Sequence, residues 1–148
     1  MIIIDKHWYQ QHQDSEDKFD FYVHDDHLME IDFDFFNKTI VLTCKKMFPQ
    51  EQQYVFLFQD VIDMHCTIGD FWGNDYVFYD MIVESDAQKN LLYLTSFDAL
   101  EKKPEQFVAM EDYIRIWFGL LSGDTMTIIC KRMIINHQSG DGSKPLKK

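Results

Sequence analysis

From Met29 to Phe35 the chain reads Met-Glu-Ile-Asp-Phe-Asp-Phe, seven positions that alternate apolar and acidic without a break. A period of two sends successive side chains to opposite faces, which suits a half-buried strand and excludes an amphipathic helix. Phe36-Asn37-Lys38 then supplies a turn, with Asn37 able to enter the left-handed region. Thr39 to Lys45 follows, rich in β-branched residues, with Ile40, Leu42 and Cys44 on one face. Residues 29–45 therefore read as a β-hairpin.

The rest of the chain repeats this grammar. Gln53–Phe58 is a nearly continuous apolar run, as expected of a central strand. Val61–Ile68 alternates, with Ile62, Met64, Cys66 and Ile68 on one side and Asp63, His65 and Thr67 on the other. Residues 69–75 are loop chemistry, Tyr76–Glu84 and Leu91–Phe97 are further strands, and 98–104 is a short helical turn ended by Pro104. Tyr113–Leu121 turns at Ser122-Gly123-Asp124 into Thr125–Ile135, with a register change expected near Lys131-Arg132. The sustained helical candidate is the polar stretch Lys6–Asp17, and it is weak. The expected fold is all-β, or a β-rich α+β variant: an antiparallel meander of about seven or eight strands forming a sandwich or partly open barrel. Residues 1–136 form the single globular domain and 137–148 a flexible tail.

A net charge of -11 narrows the partners. The tail carries +2, which leaves -13 on the body. Phosphate backbones and anionic lipid surfaces both require clustered Lys and Arg, so neither nucleic acid nor membrane is expected as a partner. Solubility alone is enough to explain an acidic surface, and a basic protein partner is the other reading. Cys44, Cys66 and Cys130 are odd in number and widely spaced, against a disulfide framework or zinc site. Met1-Ile2-Ile3-Ile4 runs directly into charged residues, which is not a signal peptide, and no stretch approaches the length of a membrane span. A reducing cytoplasm is the expected location.

Catalytic signatures are missing: there is no G-x-x-x-x-G-K-[ST], G-x-G-x-x-G, H-E-x-x-H or G-x-S-x-G, and no enzyme or cofactor is expected. His24-Asp25-Asp26-His27 has metal-ligand chemistry. Neighbours on an extended chain diverge, however, so it reads as a strand entry. The same divergence separates His65 from Cys66, whose thiol belongs with the core. Glu30, Asp32 and Asp34 share one strand face at intervals of roughly 7 Å. They are either a solvated sheet face or a docking strip for basic side chains. Phe71 and Trp72, flanked by Asp70 and Asp75, either fold back on the sheet ends or form an aromatic anchor with an acidic rim. With 13 Phe, 7 Tyr and 3 Trp, aromatics are generous for one core of this size.

His24-Asp25 leading into Leu28-Met29-Glu30-Ile31-Asp32-Phe33 resembles the opening of several small bacterial β-rich families. Phe58-Gln59-Asp60-Val61 and the hairpin Leu121–Ile128 extend the likeness across about residues 24–135. Some of these families are immunity proteins encoded beside polymorphic toxins. The resemblance implies a non-catalytic inhibitor of a basic toxin domain, with no catalytic residue to carry over. Glu30, Asp32, Asp34, Asp70, Phe71, Trp72 and Asp75 are the expected partner-binding residues. The alternative function is a small ligand-binding barrel or an enzyme with a pocket in its mouth.

Overall fold

The computed structural model describes residues 1–12, 21–67, 76–85 and 112–137. The chain runs β1 (Ile2–Asp5), α1 (Lys6–His12), β2 (His27–Asp34), β3 (Thr39–Lys46), β4 (Gln52–Gln59) and β5 (Asp63–Cys66). It continues with β6 (Phe78–Glu84), β7 (Ile114–Leu120), β8 (Thr125–Cys130) and β9 (Arg132–His137). The strands form two antiparallel sheets, one of five ordered β1-β9-β4-β3-β2 and one of four ordered β5-β8-β7-β6. The fold is the expected β-rich class, and its sheets pair as a sandwich.

The 29–45 hairpin is β2 and β3, in register from Glu30↔Thr43 to Asp34↔Thr39. Its left-handed residue is Lys38 at φ 57°, not Asn37. Asn37 instead donates its side-chain and backbone N–H groups to the carboxylate of Asp34, at 2.8 and 3.0 Å. Ile40, Leu42 and Cys44 are all buried, and β4 lies between β3 and β9 as a central strand.

Near Lys131-Arg132 the chain changes sheets rather than register. β8 ends in the four-stranded sheet and β9 begins in the other. The β4–β5 connection makes the same crossing alongside, with Asp60 left-handed at φ 54°. Hydrogen bonds from Lys131 N to Gln59 O (3.2 Å) and from Ile62 N to Ile129 O (2.9 Å) tie the two crossings together. At the opposite edges, Asp25 N donates to Phe78 O, Phe78 N to Asp26 O and Leu28 N to Tyr76 O, which staples β2 to β6.

The core lies between the inner faces. Phe118 of β7 meets Phe56 of β4 at 5.4 Å, Phe58 at 6.3 Å and Phe78 at 5.1 Å between ring centroids. All four rings are fully buried, so a good part of the aromatic content fills the space between the sheets. The N-terminal helix is real but short. Its first turn is capped by Asp5, whose Oδ1 accepts from Trp8 N at 2.8 Å. β1, which periodicity does not announce, pairs Ile2–Asp5 with Ile135–Arg132. β9 extends to His137, one residue into the segment read as tail. The expected strand at 91–97, the helical turn at 98–104, and 13–17 and 138–148 lie outside the described residues.

Candidate functional site

Asp34 closes the β2–β3 turn on itself, so the aromatic residues beside it are left pointing outward. Phe35 is 83% and Phe36 93% exposed. Phe33, two positions back on the same side, stacks on Phe35 with centroids 5.8 Å apart and planes 6° apart. Lys38 O accepts from Val61 N at 2.8 Å, holding the β4–β5 connection against the turn. Between them opens a groove of about 430 Å³. Phe33, Phe35, Val61, Ile62 and Met64 form its apolar lining, and Asp34, Lys38 and Asp63 its polar groups. Hydrogen bonds from Asn37 hold the Asp34 carboxyl below the usual carboxylate range. Burial pushes the Asp63 carboxyl above it.

Glu30, Asp32 and Asp34 do share a face. Their cross-strand partners are Thr43, Val41 and Thr39, while Ile31 and Phe33 face the core side with Leu42 and Ile40. A register shift between Leu28 and Glu30 moves Glu30 onto that outer face. Glu30 and Asp34 are exposed and Asp32 is half-buried. The strip therefore runs along β2 and ends at the aromatic tip. Asp70, Phe71, Trp72 and Asp75 lie outside the described residues. Neither Phe35 nor Phe36 stands out in the sequence, because the alternating strand absorbs Phe35 and the turn absorbs Phe36. The available signal was two consecutive phenylalanines in a turn, where polar residues are the rule.

The His24–His27 segment splits in several directions. His24 Nδ1 lies 2.9 Å from Tyr79 O, and His27 meets the Tyr76 ring edge-on at 5.0 Å. Asp26 turns inward and is 2% exposed. Its Oδ2 accepts from Tyr54 Oη at 2.7 Å and Lys46 Nζ at 3.0 Å. Lys46 also donates to Tyr22 O at 2.7 Å and sits 5.0 Å from the centroid of the Phe21 ring. Burial raises the Asp26 carboxyl above its ordinary value against the pull of Tyr54 and Lys46. Burial likewise holds the Tyr54 phenol and the Cys44 thiol protonated. This cluster ties 21–26 to β3 and β4; its phenol and carboxyl are sealed from solvent and offer no access to a substrate. Among the described residues no three His, Cys, Asp or Glu side chains gather as metal ligands. His65 is exposed, while Cys66 packs against the core from the edge strand β5 and is only half-buried.

A second groove, of about 420 Å³, lies on the outer face of the four-stranded sheet around Trp117, Arg115 and Glu84. No helix among the described residues is long and apolar enough to cross a membrane. No family model, curated protein or solved structure matches the chain.

Proposed function

We propose that this protein is a non-catalytic acidic binding protein that docks a basic protein partner through the β2–β3 hairpin. Its specific role in this reading is immunity-type inhibition, in which the hairpin occludes the cationic groove of a toxin domain. The observation that carries the reading is the exposure of Phe35 and Phe36, 83% and 93%, at the end of the acidic strand. Exposed aromatics are what an interface core consumes, and flanking charges set the encounter. Phe33, Phe35 and the adjoining groove form the apolar centre, and Glu30, Asp32 and Asp34 approach it along β2. An overall charge of -11 adds long-range attraction for a cationic surface. A partner that binds phosphate would be blocked at the same cationic residues it uses for nucleic acid.

Capture from the native cell tests this, comparing the wild type with the double variant Phe35→Ser, Phe36→Ser. The expected result is a basic protein that co-purifies with the wild type, dissociates in high salt and is missing from the variant eluate. With that partner purified, lysine substitutions at Glu30, Asp32 and Asp34 should chiefly slow association, and the aromatic variant should chiefly speed dissociation. A partner that binds both variants like the wild type refutes the hairpin as the docking element. A partner whose activity is unaffected by binding refutes the inhibitor role.

A further inference from the structure

We propose that the outer face of the four-stranded sheet binds a neutral saccharide, with Trp117 as its stacking platform. The register places His65, Thr127, Trp117 and Ile82 in one row across β5, β8, β7 and β6. Glu84 and Arg115 pair in the neighbouring row on one side, and Thr125 and Gly119 in the row on the other. These positions alternate with Ile114, Ile116, Phe118, Met126 and Ile128, which are buried in the core, and so lie on the opposite face of the sheet.

Gly119 sets the attitude of the indole. A Cβ there would fall 2.6 Å from Cη2 of Trp117 and 3.2 Å from each of Cζ2 and Cζ3. Distances to the two flanking carbons this short place that Cβ mainly above the ring plane, not beyond its edge. The six-membered ring therefore lies across the glycine, one face toward the backbone and the other turned outward. Glycine is needed here for space, not for its backbone freedom.

The groups around this ring select the ligand class. Arg115 Nη2 is paired with Glu84 Oε2, so the guanidinium is already neutralised against an anion. The same guanidinium disfavours a cation, as does the lack of a second acid among the described residues that line the groove. What remains is a flat apolar ring beside a donor fork, a carboxylate acceptor and the half-buried hydroxyl of Thr125, with the buried Thr127 as the floor between them. A pyranose presents the complement, an apolar C–H face and a rim of hydroxyls that each donate and accept. The groove, at about 420 Å³, falls in the range of small-ligand sites.

The test is an immobilised panel of neutral and sialylated oligosaccharides probed with the full chain, with hits repeated by calorimetric titration. At least one neutral oligosaccharide should bind, with an affinity insensitive to salt. Trp117→Ala should weaken it about tenfold or more, whereas Trp117→Tyr should retain most of the affinity. Should the alanine variant fail to fold, Ile82→Arg obstructs the groove from an exposed position of the same row and should abolish binding. The Phe35→Ser, Phe36→Ser variant should bind the saccharide normally, which keeps this site separate from the hairpin. Absence of any neutral ligand, preference for sialylated ones, or binding that survives in folded Trp117→Ala or Ile82→Arg protein would overturn the proposal.

Discussion

Tyr54→Phe is the sharpest probe of the buried polar cluster. The substitution leaves the ring, and with it the edge-on contacts to Phe21 at 5.1 Å and Phe56 at 5.4 Å, so no cavity forms. It deletes one donor to Asp26, a carboxylate only 2% exposed that retains Lys46 at 3.0 Å. A hydrogen bond to a charged group contributes about 1.5–3 kcal/mol, and one to a neutral group about 0.5–1.5 kcal/mol. The loss at neutral pH should therefore be about 1.5–3 kcal/mol, or a fall in Tm of about 3–12 °C for a chain of this size. The bond from Tyr54 lowers the Asp26 pKa, so its removal lets an already raised value climb further. A carboxyl whose folded pKa exceeds the unfolded value of 3.8 leaves the folded state most stable below 3.8, and that stability is lost as pH rises through the folded pKa. The deficit of Tyr54→Phe should accordingly widen with increasing pH and narrow toward the smaller figure in acid. Urea denaturation of wild type and variant across this range reads the difference directly. A deficit that is independent of pH, or that widens in acid, refutes the charged-acceptor description of Asp26.

Three further substitutions separate surface from core. Asp34→Ala removes both bonds to Asn37 and should lower the melting temperature at neutral pH, by less than Tyr54→Phe. Because the Asp34 carboxyl is held low, its contribution is present above 3.8 and is lost as pH falls through its folded value, so wild type and variant should converge in strong acid. Gly119→Ala should cost about 1 kcal/mol, since overpacking costs about 1–3 kcal/mol and replacing a strand glycine returns about 0.5–1 kcal/mol. Its tryptophan emission should shift as the Trp117 ring is pushed off the sheet. Phe35→Ser with Phe36→Ser should leave folding stability within about 0.5 kcal/mol, as thermal melts can check, because neither ring touches the core.

Local pairing was readable and distant pairing was not. The β2–β3 hairpin and the β7–β8 hairpin each place their hydrogen-bonding partner a few residues away, so alternation and turn chemistry suffice to find them. β1 offers only three isoleucines without alternation; it is a strand because Met133, Ile134 and Ile135 stand beside it, far along the chain. The burial of Asp26 was equally hidden. In sequence it belongs to a polar His-Asp-Asp-His turn, and its partners Lys46 and Tyr54 lie 20 and 28 residues away. The switch of sheets at Lys131 appears in sequence only as a break in periodicity, since one interrupted strand and two strands in different sheets read alike. The outer-face groove did leave a trace: Arg115, Trp117 and Gly119 recur at every second position inside an otherwise apolar run.

The hairpin tip shows where pattern and packing part company. Leu28 and Ile31 pack against the core, and the alternation continues unchanged to Phe33 and Phe35. The core does not continue with it. Phe33 is already 47% exposed although Ile40 across from it is buried, and Phe35 reaches 83%. Each aromatic left in water forgoes about 25 cal/mol for every Å² of apolar surface that burial would have removed. A turn closed by Asp34 and Asn37 needs no aromatic side chain for its own geometry. Phe35 and Phe36 therefore lie beyond what the fold requires, at the end of a strand whose other face is acidic. A polar pair at these two positions would fold as well and dissolve better. In the proposed function a partner surface covers them, and Glu30, Asp32 and Asp34 along the same hairpin are the charges that a basic partner would meet.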